Sequence, residues 1–187
     1  MGFSLSWIAV RGKAPEAVNA LLGLRSTGIR QEVAESAHNA IALPGGFYLV
    51  IFNRKELSAH FLRRISRSAP LVYGFVEEHV MYSTLAEWEN GQELWAVVHD
   101  AQEGTMDLQV RGSPPHPYGS IRDRLVAEQK AESEPAEVDY IFDIPVELGK
   151  ELTGFRHDER LPGVTKEEFE VLEPVKSGFF ARMMSRD

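Results

Sequence analysis

Arg156-His157-Asp158-Glu159-Arg160 puts five titratable side chains in consecutive positions. An imidazole among carboxylates and guanidinium groups is material for a hydrolase, and Arg156, His157 and Asp158 are the catalytic candidates if the chain is an enzyme. Two further groupings mix histidine with acid: Glu77-Glu78-His79 and His99-Asp100. Imidazole with carboxylate suits a divalent metal, so His79, Asp100 and His157 are the candidate ligands. The spacing argues against both uses. There is no His-Glu-x-x-His, no His-x-His and no Gly-x-Ser-x-Gly. Gly45-Gly46 lacks the lysine of a phosphate loop, and Glu77 and Glu78 are strand neighbours that point to opposite faces. With no cysteine in the chain, thiolate catalysis, thiolate zinc sites and disulfides are excluded. No cofactor is expected.

The five-residue cluster also has a purely structural account. Leu148, Leu152 and Phe155 recur at helical spacing from Pro145, and Gly154 stands where a left-handed cap residue is expected. Arg156 and His157 then fall just past a helix C-terminus, where positive charge complements the helix dipole.

The elements around these residues can be read from periodicity. Phe3 to Val10 alternates as a strand, and Ala14 to Leu22 reads as a helix closed by Gly23. Gly28 to Val33, Phe47 to Phe52 and Leu71 to Val76 read as strands, with a helix over Lys55 to Ser68 between the last two. This order, βαββαβ, is that of a ferredoxin-like unit. Asn90-Gly91 between Val80–Trp88 and Glu93–His99 predicts a hairpin, whose two-residue turn sets Trp88 opposite Glu93 and Tyr82 opposite His99. Thr105 to Val110 is the next strand of this antiparallel meander. Ser113-Pro114-Pro115-His116-Pro117 then breaks the pattern. Helices are expected over Ser120–Glu132 and from Pro145 to Gly154. The fold class is therefore α+β, divided as a core over 1–112, a mainly helical acidic subdomain packed on it over 113–173, and a tail over 174–187.

Charge is the other guide to function. The net charge of −8 disfavours nonspecific nucleic-acid binding. Residues 128–173 hold 14 acidic and 5 basic side chains, a local net of −9, while the rest of the chain is close to neutral. So lopsided a field suits docking of a basic protein partner. Glu147 and Glu151, at i and i+4 of the helix from Pro145, are the expected contact pair. In the tail Phe179, Phe180 and Met183 share a helical face beside Arg182, suited to partner docking or a homo-oligomer contact. The apolar runs are too short for a membrane span and no signal peptide is evident, which fits a cytoplasmic protein.

Several runs, GFSLSWIAVRGK from Gly2, EEHV from Glu77, WAVVHD from Trp95 and Val138 to Asp158, are similar to a family of bacterial proteins of about this length. The resemblance implies a bacterial source and one self-contained unit. It implies no activity, cofactor or catalytic residue. The expectation is a non-catalytic bacterial binding protein that docks a basic partner, as immunity- or inhibitor-type proteins do. The alternative is a divalent-metal-dependent hydrolase built on His and Asp/Glu side chains.

Overall fold

The computed structural model describes residues 2–132, 138–161 and 168–175. The expected contacts Phe179, Phe180 and Met183 lie outside the described residues. The elements run β1 (Ser4–Arg11), α1 (Pro15–Leu22), β2 (Leu24–Gln31), β3 (His38–Ala42), β4 (Phe47–Asn53), α2 (Ala59–Ser66) and β5 (Leu71–Glu77). They continue with β6 (Tyr82–Glu89), β7 (Gln92–Asp100), β8 (Gln109–Gly112), α3 (Pro117–Ala131), α4 (Asp143–Thr153) and β9 (Phe169–Pro174). The fold is α+β. All nine described strands join one sheet in the order β2-β9-β3-β4-β1-β5-β6-β7-β8.

Two features depart from the ferredoxin-like expectation. His38–Ala42 adds a strand, giving βαβββαβ, while β1 lies between β4 and β5 and is antiparallel to both. The C-terminal part also ends as a strand: β9 enters the sheet between β2 and β3. Its acidic residues meet cations and hydroxyls of β2, with Glu173 on Arg25 at 2.6 Å, Glu168 near Arg30 at 3.4 Å and Glu170 accepting from Ser26. A strand so rich in glutamate carries little hydrophobic alternation, which is why its sequence conceals it.

Side chains alternate across the sheet and build two cores. On one face Ile8, Val50, Phe52, Leu71 and Tyr73 pack against Val18 and Leu22 of α1 and Leu62 and Ile65 of α2. On the other, Trp7, Leu49, Leu85 and Val97 pack against Leu125 of α3 and Ile144 and Leu148 of α4. Trp7 is the close-contact point of this second core. A Cβ placed on Gly74 would lie 2.3 Å from its ring, and one on Gly149 of α4 would lie 3.1 Å from it. Glycine at both positions lets the indole slide between sheet and helix.

The Asn90-Gly91 hairpin forms as expected, with φ of 52° and 77° at its two turn residues. Trp88 faces Glu93, yet Tyr82 faces Asp100 rather than His99, and Ser83 takes His99. The register slips between Glu87 and Trp88 because Leu94 is an unpaired extra residue in β7, a β-bulge.

Candidate functional site

That one-residue slip decides which side chains share a face. Tyr82, Thr84, Ala86 and Trp88 of β6, with Val98 and Asp100 of β7, look toward the side that carries α2. Helix α2 is short. Its N-cap Ser58 accepts from the Phe61 amide, so residues 55–57, expected to be helical, lie outside any helix or strand. The sheet beyond α2 is left with a groove of about 380 Å³. Leu57, Ala59 and Leu62 form one wall, Tyr73, Tyr82 and Trp88 supply aromatic surface, and Gln109 and Arg111 of β8 close the far side.

Four carboxylates line the groove, Glu56, Glu93, Asp100 and Glu103, against one guanidinium. Arg111 spends itself on Glu93 through two bonds of 2.7 and 3.1 Å. This pairing, opposed by partial desolvation, raises the arginine further above its ordinary value. Glu56, Asp100 and Glu103 have no ion-pair partner among the described residues. Asp100 only accepts the Gln102 amide at 3.0 Å. The Tyr82 hydroxyl registers the excess: burial first, then the Glu56 and Asp100 charges, raise its pKa, with Arg111 pulling weakly the other way.

The residues singled out from the sequence are placed elsewhere and mostly engaged with each other. His157 is buried at 3% side-chain exposure, bonded through Nε2 to Glu78 at 2.9 Å and edge-on to Phe3 at 5.2 Å. The same Glu78 accepts the Phe3 amide at 2.8 Å, tying the start of β1 to the chain after α4. Arg156 is 14% exposed and reaches Asp143 at 2.9 Å and Asp158 at 2.7 Å. Burial tends to lower its pKa, but these two carboxylates raise it overall. The cluster is thus a half-buried ion network rather than exposed helix-end charge. His79 bonds Glu77 at 2.6 Å, and Asp100 lies in the groove, so His79, Asp100 and His157 do not converge. Among the described residues no group of three His, Asp or Glu side chains is arranged to hold a metal ion.

Glu147 is engaged as well, by Arg124 of α3 and more distantly by Arg156 at 4.0 Å. Glu151 is exposed and makes no ion pair among the described residues. Much of the acid counted over 128–173 is matched internally: Glu159 by Lys150, Glu128 by Arg124, Asp139 by His99. Sequence counting missed the groove because Glu56, Tyr73, Trp88, Asp100 and Arg111 come from different elements with no common spacing. The one local signal was the every-other-residue run Tyr82, Thr84, Ala86, Trp88, too mixed in polarity to mark a covered face.

No helix among the described residues is long and apolar enough to cross a membrane. Comparison with protein-family models, with curated proteins and with solved structures finds no match to this chain.

Proposed function

We propose that the protein is a non-catalytic binding protein that docks a basic partner, and that the groove beside α2 is the docking surface. The observation that carries this reading is the surplus of carboxylate in a concave aromatic site: Glu56, Asp100 and Glu103 lie there without a cation, beside Tyr73, Tyr82 and Trp88. Concave walls of low dielectric focus such a field, and aromatic faces add cation–π attraction. The pair Glu147 and Glu151, expected from sequence to meet the partner, is the weaker candidate because Glu147 already binds Arg124 and Arg156. A metal-dependent hydrolase has less support, since among the described residues no group of three His, Asp or Glu side chains is arranged to hold a metal ion.

Titration calorimetry with a tetra-arginine and a tetra-glutamate peptide tests the reading. The basic peptide should bind and the acidic one should not, with affinity falling as salt rises. Glu56→Gln with Asp100→Asn should weaken binding by about tenfold or more, while Glu151→Lys leaves it nearly unchanged. If Glu151→Lys abolishes binding and the groove variant does not, helix α4 is the surface and the groove reading is wrong.

A further inference from the structure

The groove floor makes a demand that its acidic rim does not explain. Tyr73 and Trp88 are both 5% exposed and both line the groove. Neither the Tyr73 O–H nor the Trp88 indole N–H finds an acceptor among the described residues, although the Leu57 backbone amide approaches the Tyr73 oxygen as a donor. Such buried donors are uncommon, because an unmade hydrogen bond costs free energy that folding does not recover. The same sheet shows the ordinary solution on its other face, where Trp95 donates its indole N–H to Glu87 at 2.7 Å. Burial above all, with the Glu56 charge added, pushes the Tyr73 hydroxyl far above its ordinary value, so it keeps its proton and remains a donor. Two donors at the floor ask for an acceptor, and three unpaired carboxylates at the rim ask for a cation. The carboxylates also decide which acceptor. An anionic oxygen would be repelled by Glu56 and Asp100, so a neutral carbonyl is favoured over a carboxylate.

We infer that the groove anchors a single basic amino-acid residue within a peptide, its side-chain cation held by Glu56, Asp100 and Glu103 and its main-chain carbonyl accepting from Trp88 Nε1 and Tyr73 Oη. This rests on the binding role proposed above and names the group of the partner that the groove recognises. The volume of about 380 Å³ is that of a small-ligand site, enough for one side chain and its adjoining peptide units and too little for a helix.

The test compares two probes by calorimetry: N-acetylargininamide, with guanidinium and carbonyls, and butylguanidinium, with the cation alone. N-acetylargininamide should bind about tenfold more tightly. Tyr73→Phe with Trp88→Phe should erase that preference by weakening N-acetylargininamide while leaving butylguanidinium unchanged. Glu56→Gln with Asp100→Asn should weaken both probes. Equal affinity of the two probes for the unaltered protein overturns the inference about the floor while leaving the acidic groove as a cation site. That comparison needs no variant, so it stands even if the double substitution fails to fold. Binding of neither probe, together with no binding of tetra-arginine, overturns both the inference and the reading beneath it.

Discussion

His99 has no exposed side-chain surface, and both its ring nitrogens face acceptors: Nδ1 the Asp107 carbonyl at 2.6 Å, Nε2 the Asp139 carboxylate at 3.0 Å. Only the imidazolium donates to both. Burial pulls its pKa down, but the Asp139 and Asp107 partners raise it above the ordinary 6.5 overall. A folded-state value above the unfolded one means that protonation favours folding. The stabilisation is complete below pH 6.5 and fades as pH climbs through the folded value. Asp139 also accepts the amides of Ile141 and Phe142 through its other oxygen, at 3.1 Å each, starting the turn into α4. Asp139→Asn keeps that cap and removes the charge. Urea denaturation should show a loss of about 1.5–3 kcal/mol in mildly acidic buffer, shrinking in alkaline buffer as the imidazole becomes neutral and accepts from the new amide. A loss that does not vary with pH would mean that His99 is neutral throughout. Arg156 belongs to the same scale. Its half-buried bonds to Asp143 and Asp158 make Arg156→Ala costly, by about 1.5–3 kcal/mol in the same assay, where an exposed helix-end charge would cost about 0.5 kcal/mol.

Elements in this fold are positioned by single contacts, and whether the sequence reveals them depends on how local those contacts are. The Asn90-Gly91 turn is local, so the hairpin could be read directly. Gly23 and Gly154 likewise end α1 and α4 with left-handed φ of 70° and 82°, as their spacing predicted. Strand β9 is not local: its partners Arg25, Ser26 and Arg30 lie well over a hundred positions away. The Leu94 bulge is local yet silent, because an extra residue in a strand carries no distinctive side chain, and it moved His99 and Asp100 to the faces opposite those expected. Trp7 between Gly74 and Gly149 joins three elements with no sequence signature. Its contact makes a sharp prediction. Gly74→Ala drives a methyl into the indole and should cost about 1–3 kcal/mol by thermal melting, with α4 displaced from the sheet. If the melting temperature is unchanged, the ring has room and the fit is looser than described.

At the scale of the whole molecule the order of strands in space departs furthest from their order in sequence. Both cores draw on residues from either side of the Ser113–Pro117 break. Ile144 and Leu148 of α4 share one cluster with Trp7 and Leu85, and Leu172 of β9 shares the other with Ile8 and Leu24. Ser83 of β6 donates to the Phe142 carbonyl at 2.7 Å, a buried bond across the same divide. Charge follows the pattern: the acidic stretch is folded against Arg25, Arg124 and His99, so the acid left unpaired in a concavity lies in the groove of the N-terminal part. Equilibrium unfolding in urea should accordingly be a single transition, with tryptophan fluorescence, which reports on Trp7, Trp88 and Trp95, coinciding with far-ultraviolet dichroism, which also reports on α3 and α4. Leu172→Ala, at a site 3% exposed, should lower the midpoint of both signals together, by about 2–5 kcal/mol. A strand merely appended to a finished core would instead be lost early, shifting one signal and leaving the other in place.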